Sequence, residues 1–176
     1  SEGISDYFAG SSLNDPSIGA HVLGALGGTG SLRDLDWQLP GIQKRVLSSL
    51  TWLGEIHDDS IYLSQALWDI RRERTLARGY TLGRSCADGL VFQSLLYFPE
   101  SFAEVLDAMR RVDADGRVPA CGGPGQTQAA INTAFTSHGL DFVGQGDPLE
   151  RNDGFENATD VSTRPAISAT IYPTSD

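Results

Sequence analysis

Long apolar runs are missing from this 176-residue chain, and no stretch approaches the roughly 20 residues that a membrane-spanning helix needs. Lysine is nearly missing too. Lys44 stands alone beside twelve arginines, and the 13 basic side chains face 23 acidic ones, for a formal net charge of −10. A phosphate backbone calls for a clustered Lys/Arg face, so neither nucleic acid nor a membrane is an expected partner. Cysteine is scarce. Cys86 and Cys121 allow one bridge closing a loop of about 35 residues, worth roughly 3–4 kcal/mol on the chain-entropy model, and equally allow two buried thiols. No internal repeat and no low-complexity tract is present, and G-x-S-x-G does not occur. The run GALGGTG lacks the Lys-Ser/Thr of a phosphate loop and follows no predicted strand, so it reads as a flexible loop.

What is present, a 40 % hydrophobic share, suits one ordinary soluble domain. Its periodicity is helical through residue 140. Residues 2 to 9 predict a helix stopped by Gly10 and the Ser11-Ser12 pair. Residues 10 to 50 read as a long irregular connection with short helical pieces, given GALGGTG, Pro40 and Gly41. Asp59 and Ser60 are good N-cap types, and Leu63, Ala66, Leu67 and Ile70 follow at helical spacing, predicting a helix from 59 to about 74. A second is expected over 81 to 97 with Val91, Phe92, Leu95 and Leu96 as its core stripe. Ser101 and Glu104 form a capping box ahead of Phe102, Val105, Leu106, Met109 and Val112. The last helix is expected over 125 to 138, with Gly139 as its cap and Leu140 as the accompanying apolar contact.

Beyond Leu140 the pattern changes to turn formers and acids. Residues 141 to 176 carry seven acids and two arginines, half of the net charge. A short strand is expected over 166 to 172, where AISATIY alternates. The organisation implied is a mainly α unit at 1–140 and an irregular acidic tail containing a short β segment at 141–176.

Three places carry candidate chemistry. Glu2 and Asp6 lie four apart and share a helix face. Such a pair is ordinarily a solvated surface, yet the spacing also suits a metal site, where one carboxylate ligates and the other orients a ligating His. His57 stands just before a helix start beside Glu55, Asp58 and Asp59. An imidazole among acids is ordinarily a surface group, and it also suits donation of a hydrogen bond to developing negative charge. Arg33, at the end of the glycine-rich stretch, would ordinarily pair with Asp34 or Asp36. His21 and His138 have no acid or Cys at metal-ligand spacing and read as structural.

Together Glu2-Gly3-Ile4-Ser5-Asp6, Ser31-Leu32-Arg33 and Glu55-Ile56-His57 with its following helix resemble the helical C-terminal lobe of the thermolysin and fungalysin superfamily of zinc metalloproteases. LLYFPESFAEVLDAMRRVD and AAINTAFTSHGL make the likeness closer to bacterial fungalysin-like enzymes. The resemblance implies that Glu2 is a zinc ligand and that Asp6 supports a ligand His. It implies that Arg33 binds a substrate carbonyl and that His57 stabilises the transition state. It implies zinc as cofactor, with calcium also possible, a peptide or protein substrate, and secretion to the extracellular space. The sequence departs from the family in two ways. Where those enzymes place an acid five residues before the His, this chain has Trp52, which leaves Glu55 or a residue elsewhere to orient the imidazole. H-E-x-x-H does not occur, so two His ligands, the general base and an N-terminal lobe are expected upstream of Glu2, and the isolated chain is expected to be inactive. RNDGFENATDVS with ATIYPTSD resembles the opening of the pre-peptidase C-terminal β-sandwich modules appended to secreted bacterial proteases. The rival reading is a non-catalytic helical binding module of a secreted protein.

Overall fold

The computed structural model describes residues 2–48, 51, 53 and 55–141, and these residues are mainly helical. The elements are α1 (Glu2–Leu13), β1 (Ser17–Ile18), α2 (Ala20–Ala25), β2 (Arg33–Asp34), α3 (Ile56–Arg78), α4 (Tyr80–Ser94), α5 (Phe102–Ala114) and α6 (Gln128–Ser137), with 3-10 turns at Leu95–Tyr97 and Pro119–Cys121. Helix α3 is central, with α1, α4 and α6 packed on it, while α5 packs on α4 and α6. No helix among the described residues is long and apolar enough to cross a membrane. The first 141 residues form one compact unit. The expected strand at 166–172, the β module and Trp52 lie outside the described residues.

Local signals act as read at α5 and at the end of α6. Ser101 Oγ accepts the Glu104 N–H at 3.2 Å, and Glu104 Oε2 accepts the Glu100 N–H at 2.6 Å. Val105, Leu106, Met109 and Val112 are buried behind this cap. At the other end Gly139 takes φ +69°, a conformation that favours glycine, and the Leu140 N–H reaches Phe135 O while Gly139 N–H reaches Thr136 O. Those two bonds are a Schellman closure, and Leu140 is fully buried beneath it.

Elsewhere tertiary contacts move the boundaries. Helix α1 runs past Gly10 and the two serines to Leu13. It continues because Gly10 lies against Leu35 and Trp68, and Ser11 Oγ donates to Asp88 Oδ1 on α4 at 2.6 Å. Helix α3 begins at Ile56, three residues before the expected start, because Glu55 rather than Asp59 caps it: Glu55 Oε2 accepts the His57 and Asp58 N–H groups at 2.9 and 2.8 Å. Asp59 turns back and accepts the Leu53 and Glu55 N–H groups. Helix α4 ends at Ser94, short of the expected 97; Phe92 in it and Leu96 in the 3-10 turn that follows are exposed, contrary to the expected stripe, and the buried side of α4 is Gly83, Cys86, Ala87, Leu90, Val91 and Ser94. A Cβ at Gly83 would lie 2.4 Å from the Arg74 carbonyl oxygen and the Thr75 backbone. The close approach of α3 and α4 at this small residue therefore decides which side of α4 faces inward. Helix α6 starts at Gln128 rather than 125, with its first turn capped from α5: both Asp113 oxygens accept the Thr127 N–H at 3.1 Å.

Cys86 and Cys121 are joined in a disulfide, with Cα atoms 4.7 Å apart, which closes the question left open by the sequence. Helix α3 also anchors the 33–48 segment. Gln65 Nε2 donates to the Asp34 and Gln43 carbonyls, and Gln65 Oε1 accepts the Arg45 N–H. The buried His138 ring lies between Arg45 O at 2.6 Å and Asp69 Oδ2 at 3.0 Å, in keeping with a structural role.

Tyr7 gives a testable consequence of this packing. Its hydroxyl donates to Asp88 Oδ1 at 2.8 Å, and burial first, then the Asp88 charge, hold the phenol well above its ordinary range. Above about pH 10 the unfolded chain loses this proton while the folded protein keeps it, so the Tyr7 contribution is complete below that pH and stability falls as pH rises. Urea unfolding from about pH 9 to about pH 11 is expected to show this decline, and Tyr7→Phe to flatten it. An identical slope in the variant would assign the decline elsewhere.

Candidate functional site

Four side chains singled out in the sequence meet where α1, β2 and the start of α3 converge. Helix α1 presents Glu2 and Asp6 one turn apart, and it can do so beside α3 because position 3 is glycine. A Cβ there would lie 2.6 Å from the Ser60 carbonyl oxygen and 3.2 Å from Leu63 Cβ. Backbone oxygen cannot yield as a side chain can, so Gly3→Ala is expected to push α1 away from α3. The expected cost is about 1–3 kcal/mol, measured by urea unfolding, with unchanged or increased stability counting against the close-approach role.

Glu2 faces the α3 N-terminus, where its Oε1 lies 3.3 Å from His57 Nδ1. Both side chains are open to solvent, His57 at 54 % and Glu2 at 36 % exposure, so a ligand can reach either. Among the described residues His57 Nε2 has no hydrogen-bond partner. Glu55 serves the helix backbone, and the imidazole's recorded acid partner is Glu2.

Arg33 pairs with neither Asp34 nor Asp36. Its Nε donates to Asp6 Oδ2 at 2.6 Å and its Nη2 to Asp6 Oδ1 at 2.9 Å. The reason is the antiparallel ladder, in which Arg33 sits opposite Ile18 and Asp34 opposite Ser17. Successive strand side chains point to opposite faces, and Asp34 is held on the other face by the Ser17 and Ser31 hydroxyls. Two-residue strands leave no periodic trace, so the sequence read this segment only as irregular.

The fork between Arg33 and Asp6 is bidentate, the geometry for which a guanidinium is shaped. It uses two of the five guanidinium N–H groups and leaves Nη1 free of that pairing. The Asp6 hydrogen bonds hold Arg33 above its ordinary range against the opposing effect of burial, and the charges of Asp6, Glu2 and Asp58 add to this. The sequence placed Asp58 only beside His57; that its charge also reaches Arg33 follows from the meeting of β2 with the start of α3.

A catalytic zinc wants three protein ligands and an open position. Glu2 offers one solvent-accessible carboxylate, and no group of three or more His, Cys, Asp or Glu that could hold a metal occurs among the described residues. The donor set present therefore fits one corner of such a site. No protein-family model, curated protein or solved structure matches this chain.

Proposed function

We propose that this chain is the helical lobe of a secreted zinc endopeptidase, with Glu2 as one metal ligand, Arg33 as a substrate-binding group and His57 as a transition-state donor. The observation that carries the reading is the convergence of the four residues. Glu2 touches His57 and Asp6 grips Arg33, although these pairs are separated by 55 and 27 positions. Two His ligands and a general base would have to come from polypeptide outside these residues, since H-E-x-x-H does not occur in them. When bound, the metal would supply a water acidified to near neutral pH and a polarised scissile carbonyl.

The chain's own residues would act as follows. Arg33 Nη1 donates to a substrate backbone carbonyl and fixes its register, with Asp6 holding the guanidinium plane. His57 donates from Nε2 to the oxygen on which negative charge develops, with Glu2 near its Nδ1. Any support by Asp6 of a ligand His would use lone pairs left over from the Arg33 fork. The Cys86–Cys121 bridge supports the extracellular assignment, because such bonds persist in oxidising compartments. The acidic tail from residue 141 would lead into an appended β module.

The test is Glu2→Gln in this chain joined to the upstream segment that the proposal requires. Zinc content measured after dialysis and casein hydrolysis should both be lost, while the circular dichroism of the helices is retained. Retention of both zinc and activity would overturn the ligand assignment. An upstream segment without H-E-x-x-H would favour the binding-module reading instead.

A further inference from the structure

On the face of the β1–β2 ladder away from Arg33, where alternation turns Asp34, a groove of about 670 Å3 opens. It is separate from the Glu2, Asp6, Arg33 and His57 set. Asp15, Ser17, Ser31 and Asp34 bring polar groups to it, and Leu39, Pro40 and Ile42 give it an apolar surface. None of these residues is buried.

Its charge is of one sign. No lysine, arginine or histidine lines the groove, and neither Asp15 nor Asp34 has an ion-pair partner among the described residues. Both carboxylates are nevertheless held in place. Ser17 joins them, its N–H donating to Asp15 Oδ1 and its hydroxyl to Asp34 Oδ1, each at 2.9 Å. Ser31 Oγ donates to Asp34 Oδ2 at 2.5 Å, and the Asp34 carbonyl accepts Gln65 Nε2 at 3.0 Å. The same amide donates to the Gln43 carbonyl at 3.2 Å, which ties the chain beside Ile42 to α3. Two anionic groups are thus gathered at one serine without a cation to answer them. An ionised carboxylate accepts at about four lone-pair sites, so these bonds leave both acids free to accept more.

We propose that this groove binds an arginine side chain of a partner polypeptide. A planar guanidinium carries donors in a fixed fork and meets both carboxylates at once, whereas a lysine ammonium is a point charge. The methylene stem of the arginine lies along Leu39, Pro40 and Ile42, as long cationic side chains do on apolar surface. A bare divalent cation would leave that surface unused.

The test adds acetyl-Ala-Arg-Ala-amide, whose only charge is the guanidinium, to the full 176-residue chain and follows the backbone amides by heteronuclear NMR. Saturable shifts at Ser17, Ser31 and Asp34 are expected, with a dissociation constant of about 1 mM. Citrulline in place of the arginine, which keeps the shape and removes the charge, should abolish them. Asp15→Asn and Asp34→Asn should each weaken binding about fivefold, the size of one exposed ion pair. Asparagine keeps the side-chain oxygen that Ser17 bonds, so the circular dichroism of the helices should be unchanged. No saturable shift, equal affinity for the citrulline peptide, or unchanged affinity in both variants would overturn the proposal. Calcium shifting these amides where the arginine peptide does not would overturn it in favour of a metal.

Discussion

Under the proposed protease function, His57→Ala, made in a chain that carries the proposed upstream metal ligands, is expected to slow peptide hydrolysis about 10²–10³-fold with zinc content unchanged. That is the usual loss when one donor to a developing oxyanion is removed, about 2.7–4 kcal/mol of transition-state stabilisation. The drop should fall on kcat rather than KM, because the bond strengthens only as charge develops on the oxygen. The structure makes the experiment clean in two respects. The imidazole is more than half exposed, so its removal leaves no core cavity. Glu55 caps the helix through the backbone N–H groups of residues 57 and 58, which the substitution keeps. His57→Gln, which retains a donor of similar reach, should recover part of the rate. Unchanged turnover in His57→Ala, measured on a chromogenic peptide with zinc quantified in the same sample, would remove His57 from the mechanism.

Replacing both cysteines, Cys86→Ala with Cys121→Ala, is expected to lower the unfolding free energy of the 176-residue chain by about 2–4 kcal/mol. The bridge spans 35 positions and ties the 3-10 turn at Pro119–Cys121 to the middle of α4. Its main action is on the unfolded chain, whose loop it closes in advance, so native helicity should survive the change. Both cysteines are buried, and their replacement also removes sulfur packing beside Thr127. A urea midpoint within error of the parent would show that the bridge adds nothing. With a net stability of only about 5–15 kcal/mol in ordinary domains, the expected loss is large enough to make heat sensitivity visible.

The candidate site was legible in the sequence to an uneven degree. Glu2 and Asp6 share a face by helical spacing alone, and the structure keeps them on one face of α1. The Arg33 partner was not legible. The nearby acids at 34 and 36 were the natural choices, and Asp6 became the partner only because a two-residue ladder turns Arg33 and Asp34 to opposite faces. The acid beside the imidazole was equally hidden, since Glu55 is adjacent in sequence but spent on the helix backbone, while Glu2 arrives from another helix.

The sequence by itself determined α5, the closure of α6 at Gly139 and Leu140, and the mainly helical character of the first 140 residues. Each rests on partners within one or two turns, and such short-range hydrogen bonds and stripes are written directly in residue order. Tertiary structure alone decided where α1 stops, where α3 starts, which side of α4 is buried, and whether Cys86 meets Cys121. In each case the deciding partner is distant in the chain or chosen among near neighbours: Asp88 for Ser11, the α3 backbone for Gly83, Glu55 over Asp59 as the cap. A local preference of a few tenths to about 1 kcal/mol gives way when packing of this kind opposes it.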